Sequence, residues 1–450
     1  MKFYHLFCFG GYFMRLAITI IFSLLSWHAL GEVHKFTLPN GLKILVKEDH
    51  RAPVAVSMMW YNIGSADEPG GITGVSHALE HLMFKGTPKY PTGTFSKTIA
   101  AIGGQENAFT NYDYTAYFEK IAASQLSVSF ELEADRMQNL LLDKEEFAKE
   151  IKVIREERRL RTDDNPQALA LERYLATAHL TEPYHHPVIG WMEDLQHLNV
   201  NDAKSWYQSF YTPNNATLVV VGDVDANKVR DLATVYFGNI QRRPDFTRKK
   251  QVEPPALGAK SIEIHAPAQL PMLMFGYTVP SVKTAKISWE PFALEIITGI
   301  LDAGDSSRFA KNLIRGKHLV NGVGASYNLY SRYQTQFILS GIPSQPHDLK
   351  EVKAAILEEI NQLKTTPVSD AELQRIKTQI IAQKTYEKDS IMGQAMELGL
   401  LETLGIGWEA ADSYTDKINA VTPAQIQEVA KRYFTEQSMT EARLFPKPQS

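Results

Sequence analysis

Cysteine is almost absent from this sequence, because Cys8 is the only one among 450 residues. Cys8 lies in a segment that the sequence predicts to be removed as a signal peptide, so the mature chain would contain no cysteine. Cysteine nucleophiles, thiolate metal sites and disulfide bridges are thereby excluded. A cysteine-free exported protein fits an oxidising compartment such as a periplasm.

The sequence also lacks an excess of charge of one sign. It carries 47 basic and 51 acidic side chains, a formal charge of -4, and no long run of either sign. Nucleic acids and anionic membranes attract clustered positive charge, which this sequence does not offer. A peptide-like or neutral partner is therefore expected.

The most prominent hydrophobic run, from Leu16 to Trp27, is short. A membrane span needs roughly 20 apolar residues, whereas a signal peptide needs fewer. The small residues Ala29 and Gly31 suit cleavage before residue 32, so we predict that residues 1–31 are a signal peptide and that the protein is periplasmic. An uncleaved membrane anchor is the alternative, and a translation start at Met14 is a second open point.

The remaining chain is long enough for two or three domains of about 100–200 residues each. Between residues 241 and 260 the composition turns to Arg, Lys, Pro and Gly, which indicates a linker. We therefore predict an N-terminal domain of residues 32–240 and a C-terminal domain of residues 261–450. Short sequence motifs recur about 220 residues apart, such as Ile151-Lys152 and Ile376-Lys377. This recurrence favours a duplication over chance matching.

Local patterns predict strands and helices interspersed along the first domain, which indicates an α+β fold. Asn40-Gly41 predicts a hairpin, and the residues from Thr73 to Phe84 predict an apolar helix. Alternation predicts a strand from Asn107 to Ile121, and charge patterning predicts helices from Leu126 to Arg161. The run from Leu218 to Val221 is typical of a buried strand.

The most specific motif is His77-Ala78-Leu79-Glu80-His81, which lies on the predicted apolar helix. Residues four apart lie about 40° apart around a helix, so both imidazoles can reach one metal ion. Glu80 lies roughly 60° from His77, where its carboxylate can hold a water molecule and take its proton. Chance occurrence is the alternative, but His and Glu are costly on an apolar helix unless they are paired.

A catalytic zinc site needs a third protein ligand from another element. Glu150 and Glu157 are seven residues apart on a predicted helix and fall within about 20° of the same face. One of them can bind the metal while the other accepts the free ring N–H of a ligand histidine. Glu157 is the candidate ligand, although an ordinary solvated charged helix is the alternative.

The His77-xx-Glu80-His81 pattern, with a glutamate 76 positions after the second histidine, resembles the inverted motif of the insulinase, pitrilysin and mitochondrial processing peptidase family. The similarity extends over most of residues 35–225, and the second half agrees more loosely. Its further elements are Pro39-Asn40-Gly41-Leu42, Gly103-Gly104, Asn107-Ala108-Phe109-Thr110, the helix of Glu150 to Glu157, and Tyr211-Thr212-Pro213-Asn214-Asn215 before Val219-Val220-Val221-Gly222-Asp223.

The resemblance implies that His77, His81 and Glu157 bind Zn²⁺, that Glu80 activates water, and that Glu150 supports the site. It also implies two homologous α+β domains, each a mostly antiparallel sheet with packed helices, that face each other across a cleft. The second domain has no counterpart of the histidine motif, so one metal site per chain and an inactive C-terminal domain are expected.

The resemblance also implies substrate contacts. The strand that carries Asn107 and Ala108 would pair with an extended peptide, although Asn107 by itself is more typical of a turn or strand end. Relatives often supply an Arg, and seven residues later a Tyr, from the second domain. This sequence has Arg315, but Gly322 stands at the second position. Tyr327 is the alternative source of the phenol.

Loss of that phenol would remove a hydrogen-bond donor aimed at the developing oxyanion. Some bacterial relatives act as pairs in which a homologous subunit supplies the Arg and the Tyr, so we expect a heterodimer. The expected function is zinc-dependent cleavage of small or unstructured polypeptides. A non-catalytic assembly subunit and a peptide-binding module of the same fold are the alternatives. His185-His186 is interpreted as a structural segment.

Overall fold

The computed structural model describes residues 32–249 and 251–447. The predicted signal peptide lies outside the described residues. Within them, no helix combines the length and the hydrophobicity that a membrane crossing requires. The chain forms two β-sheets with helices packed against them, which confirms the predicted α+β class.

The first half forms one six-stranded sheet. Its elements are β1 (Val33–Thr37), β2 (Lys43–Glu48), β3 (Val54–Tyr61), α1 (Val75–Leu82), α2 (Thr94–Ala101), β4 (Gln105–Thr110), β5 (Thr115–Ala122), α3 (Leu126–Asn139), α4 (Lys144–Arg158), a π-helical turn (Arg159–Asp163), α5 (Pro166–Ala178), α6 (Met192–His197), α7 (Val200–Phe210), β6 (Ala216–Gly222) and α8 (Ala226–Phe237). The strand order is β1-β2-β6-β3-β5-β4, and within it only β2 and β6 are parallel. Strand β4 therefore lies at an edge of the sheet.

The second half repeats this arrangement with five strands. Its elements are β7 (Lys260–Ala266), β8 (Met272–Val279), α9 (Glu290–Asp302), a π-helical segment (Phe309–Gly316), β9 (Val320–Ser326), β10 (Thr335–Pro343), α10 (Leu349–Thr365), α11 (Asp370–Asp389), α12 (Ile391–Thr403), α13 (Ala410–Ala420), α14 (Pro423–Tyr433) and β11 (Met439–Pro446). The order β7-β11-β8-β10-β9, with β7 and β11 parallel, matches β2-β6-β3-β5-β4. The repeated topology agrees with the duplication that the sequence favoured.

Most local predictions agree with the structure, and one strand prediction was wrong. The hairpin of β1 and β2, the helix α1 and the buried strand β6 form where the sequence placed them. The single strand predicted from Asn107 to Ile121 is instead two antiparallel strands, β4 and β5. The chain reverses at Asn111, whose N–H donates to the carbonyl of Tyr114 at 2.8 Å. Asn and Asp favour such turns, and the alternation on both sides hid the reversal.

The segment between the halves contains no helix or strand in its described parts, residues 241–249 and 251–259. Strand β7 begins at Lys260, the last residue assigned to the linker from the sequence. The order of sheets along the chain places β1 to β6 before this segment and β7 to β11 after it.

The two halves exchange a helix. Tyr174 and Ala178 of α5, in the first half, pack against Met274 and Ala442 of the second sheet. In return, α12 of the second half packs against the first sheet, where Ala395 and Leu398 contact a cluster of buried residues from β2, β3, β5 and β6. The two helices start at positions 166 and 391, which differ by 225. The duplicated elements are therefore interlocked.

A buried arginine also joins the halves. Arg332 of the second half donates to Asp67 at 3.0 Å and to the side chain of Asn62 at 2.8 Å, both in the first half. Its backbone N–H donates to Asp113 at 3.0 Å. Arg248, between the halves, donates to the other oxygen of Asp67 at 2.6 Å. Three parts of the chain therefore meet at one carboxylate.

Candidate metal centre and cleft

Helix α1 carries the histidine motif, and its first turn is held by a distant glutamate. The buried carboxyl group of Glu68 accepts the backbone N–H groups of Gly74 and Ser76, each at 2.7 Å. It thereby satisfies two of the N–H groups that a helix start leaves unpaired. Gly74 has a φ of 88°, and a Cβ there would lie 2.5 Å from the carbonyl oxygen of Ile189. No sequence pattern predicted this role of Glu68.

The two histidines of α1 and Glu157 of α4 converge on one point. One carboxylate oxygen of Glu157 lies 3.8 Å from Nε2 of His77 and 3.5 Å from Nε2 of His81. The three ligand atoms all lie within 4.8 Å of one another. Ligand atoms at about 2.0–2.2 Å from a tetrahedral metal lie roughly 3.3–3.5 Å apart. The two His–Glu157 separations are therefore close to those between the ligands of a tetrahedral zinc ion.

The charges around this point also suit a cation. Burial, reinforced by the neighbouring His81, lowers the pKa of His77 to about 4, so its ring is neutral and available as a ligand at neutral pH. The contact with His81 holds the pKa of Glu157 below its usual value. The outer oxygen of Glu157 contacts Arg161 at 2.6 Å. The carboxylate that faces the histidines is therefore ionised and held in place.

Glu150 orients one of the ligand histidines, since its carboxylate lies 3.3 Å from Nδ1 of His81. Its second oxygen forms an ion pair with Lys85 at 2.6 Å. A carboxylate on the rear nitrogen fixes the tautomer that leaves Nε2 free for a metal. The seven-residue spacing therefore places Glu157 at the ligand point and Glu150 behind His81.

Glu80 lies beside the ligand atoms without joining them, and Thr110 holds it. The hydroxyl of Thr110 donates to a Glu80 oxygen at 2.5 Å. Burial raises the pKa of Glu80, and the hydrogen bond from Thr110 opposes that rise. Thr110 belongs to the Asn107-Ala108-Phe109-Thr110 motif, but no sequence pattern predicted its contact with Glu80.

A cleft of about 700 Å³ opens in front of these residues. Asn107 and Ala108 line it from the edge strand β4. Asn107 is exposed, and its side-chain oxygen accepts the N–H of Ala108 at 2.8 Å. His185 and His186 also line the cleft, outside the group of three ligand atoms.

The structure does not bring the candidate residues of the second half to this cleft, whose lining residues all lie between positions 77 and 189. The Arg315 guanidinium turns back and donates to the carbonyl of Asp305. The hydroxyl of Tyr327 donates to the carbonyl of Pro280 at 2.6 Å, so this phenol is already engaged. Gly322 lies on β9, where a Cβ would meet nothing closer than Ile342 at 4.0 Å.

Comparisons with known proteins agree with this geometry. The family model described as insulinase (peptidase family M16) matches residues 43–190, and the model described as peptidase M16 inactive domain matches residues 197–380. Zinc protease PqqE of Helicobacter pylori is 32% identical over 80% of this chain and 81% of its own length. The uncharacterized zinc protease YmxG of Bacillus subtilis is 24% identical over 90% of this chain and 96% of its own length.

Solved structures show the same fold. The crystal structure of a protease from Helicobacter pylori superimposes with a TM-score of 0.88 at 28% identity and covers 93% of this chain and 100% of its own. The first half of the periplasmic protease PqqL from Escherichia coli has a TM-score of 0.76 at 18% identity, covering 92% and 91%. At that identity the likeness supports the fold alone.

Proposed function

Since this chain belongs to the insulinase family of peptidases, family M16, we propose that it is a zinc-dependent endopeptidase that cleaves small or unstructured polypeptides. The observation that carries the proposal is the convergence of the His77 and His81 rings on one oxygen of Glu157, at 3.8 and 3.5 Å, with Glu80 beside them. The names of the relatives support zinc as the metal.

Zinc, when bound by His77, His81 and Glu157, would polarise the scissile carbonyl and lower the pKa of a water molecule. Glu80 would take the proton of the attacking water and pass it to the leaving amine. Burial raises the pKa of Glu80, which makes its carboxylate a stronger base. Thr110 would keep the carboxylate directed at the water position throughout the reaction.

The edge strand β4 would bind the peptide backbone. An edge strand presents unpaired N–H and C=O groups, which an extended peptide can pair with as an added strand. Asn107 and Ala108 stand on this strand in the same cleft as Glu80. Backbone pairing requires an extended segment, so flexible polypeptides are better substrates than folded domains.

We further propose a homologous partner subunit and a periplasmic location. Arg315 lies outside the cleft and Gly322 lacks a side chain, so a partner would supply the Arg and the Tyr that hold the substrate. The periplasmic description of PqqL, together with the signal-like start and the near absence of cysteine, supports export.

The same two features of the second half, Arg315 and Gly322, favour the second candidate function. In that case the chain is a non-catalytic assembly subunit or a peptide-binding module of the same fold. Retention of Glu80 argues for catalysis, because neither binding nor assembly needs a base at that position.

Cleavage of an internally quenched, unstructured peptide by wild type and Glu80→Gln, each loaded with zinc and each with and without a homologous partner, tests both proposals. We expect the variant to lose about 10²–10⁴-fold in kcat at equal zinc content. Equal rates for the two proteins would contradict the peptidase proposal. A wild-type rate that no homologous partner changes would contradict the heterodimer alone.

A further inference from the structure

A second group of metal-type ligands lies where the two halves and the intervening segment meet. His179 directly follows α5, Glu182 lies three residues later, and Glu253 comes from the segment between the halves. One ligand atom from each of these residues lies within 4.8 Å of the other two. Glu253 is 71 positions from Glu182, so no short sequence motif contains all three residues.

Two of the ligand atoms are buried and have no hydrogen-bond partner among the described residues. They are Nδ1 of His179 and one carboxylate oxygen of Glu182, in side chains that are 3% and 2% exposed. They face each other at 3.4 Å. That distance exceeds the usual 2.7–3.2 Å of an N–H···O bond, but it equals the roughly 3.3–3.5 Å that separates two ligands of one tetrahedral metal.

The buried carboxylate of Glu182 is short of positive charge. Within the described part of the chain, His179 is the only ion-pair partner of Glu182. Burying a carboxylate without a compensating charge is costly, and a divalent cation would compensate two of them at once. Proteins bind zinc with this combination of imidazole and carboxylate ligands.

Backbone hydrogen bonds hold Glu253 in position. Its carboxylate accepts the N–H groups of Leu180 at 2.7 Å, Thr181 at 2.9 Å and Glu182 at 3.1 Å. Its orientation is therefore set before any ion arrives. His179 also lines a cavity of about 260 Å³ at the junction of the halves.

We propose that His179, Glu182 and Glu253 form a second, structural zinc site. The site fastens the segment between the halves to the loop that follows α5. It also reaches the second half, because the other oxygen of Glu182 accepts the backbone N–H of Gln334 at 3.2 Å. The proposal concerns stability and metal content and is independent of catalysis at Glu80.

Zinc titration of the full, chelator-treated chain against a chromophoric competitor tests the proposal. We expect wild type to bind two equivalents and His77→Gln/His81→Gln to keep one. In that double variant, zinc should raise Tm by roughly 3 °C at 100-fold excess over Kd. Adding Glu253→Gln should weaken the remaining site by about 10-fold or more. Adding Glu263→Gln, an exposed change on β7, should leave it unchanged.

A single equivalent in wild type and none in the double variant would overturn the proposal. An equivalent that survives Glu253→Gln with unchanged affinity would also overturn it, since the ion would then lie elsewhere. Circular dichroism of each variant verifies that the fold is intact, and the partly exposed position of Glu253 makes its substitution the mildest of the three.

Discussion

Thr110 donates a hydrogen bond of 2.5 Å to the carboxylate of Glu80. This contact joins the edge strand β4 to the helix α1 that carries the histidines. A peptide paired along β4 would therefore be aligned by the strand that also fixes the catalytic base. Binding and proton transfer share one rigid element in this arrangement.

Replacing Thr110 with valine should lower kcat by about tenfold or more while KM changes little. Valine keeps the shape of the side chain but cannot donate, and a hydrogen bond to a charged group contributes about 1.5–3 kcal/mol. Steady-state kinetics on the quenched peptide measure the effect. Thr110→Ser retains the hydroxyl and should recover most of the rate, whereas equal losses in both variants would show that packing alone matters.

Glu157→Gln should weaken zinc binding by about 100-fold or more, since an amide oxygen is a neutral and poorer ligand. Glu156→Gln is the matched control on the same helix, because Glu156 is exposed and, among the residues that the structure describes, forms an ion pair only with Arg159. Competition with a chelator of known affinity measures the zinc affinity of both variants. Similar affinities for the two variants would remove Glu157 from the ligand set.

Gly322→Tyr should raise the peptidase rate of the isolated chain, because a single oxyanion donor contributes about 10²–10³ in kcat. Among the described residues, the nearest atom to the new Cβ belongs to Ile342, at 4.0 Å. Gly322→Phe supplies the same ring without the hydroxyl and should give no gain. A rate that neither variant changes would argue against position 322 as the missing donor.

Arg332→Met should lower the free energy of unfolding by about 3–5 kcal/mol. The change leaves Asp67 and Asp113 buried without this partner, and breaking a buried ion pair has a cost of that size. Arg242→Met breaks an exposed pair and should cost about 1 kcal/mol or less. Denaturant titration of both variants gives the comparison, and equal losses would contradict a special role for the buried pair.

The stability of the protein should depend on pH through Glu68. Burial raises the pKa of this carboxyl from 4.5 to about 8, so the folded state holds its proton more tightly than the unfolded chain does. The resulting stabilisation is complete below about pH 4.5 and is lost as pH rises towards 8, by up to about 1.4 kcal/mol per pH unit.

The side chain at position 68 cannot ionise in Glu68→Gln. The free energy of unfolding of this variant, measured relative to that of wild type, should therefore increase between pH 5 and 8. Urea titrations at several pH values, with a chelator present to keep the zinc site empty, measure the difference. Glu263→Gln, at an exposed position, is the control. Parallel curves for wild type and Glu68→Gln would contradict the expectation.

Short-range geometry explains what could be predicted from the sequence. The i and i+4 spacing of His77 and His81 places both rings on one side of α1 wherever that helix packs. The seven-residue spacing does the same for Glu150 and Glu157 on α4. The structure brings these four side chains together, as the pattern and the family resemblance indicated.

Contacts between distant segments explain what could not be predicted. Glu68 and Thr110 gain their roles only when a loop and a sheet edge meet α1, and no periodicity encodes such a meeting. No sequence pattern predicted that α5 would pack against the sheet of the other half. The family resemblance pointed to Arg315 as a substrate contact, yet its guanidinium donates to the carbonyl of Asp305.

The exchange of α5 and α12 has a consequence for biosynthesis. Residues 391–403 cover the outer face of the first sheet, which includes Trp60. This face therefore stays exposed to solvent until the nascent chain is almost fully translated. Gly399 packs so tightly on Trp60 that a Cβ at position 399 would lie 2.1 Å from the indole ring. Replacing this glycine with any other residue should therefore destabilise the fold. A polypeptide truncated between the halves would expose the hydrophobic face of this sheet. Chaperones and proteases bind such exposed hydrophobic surface.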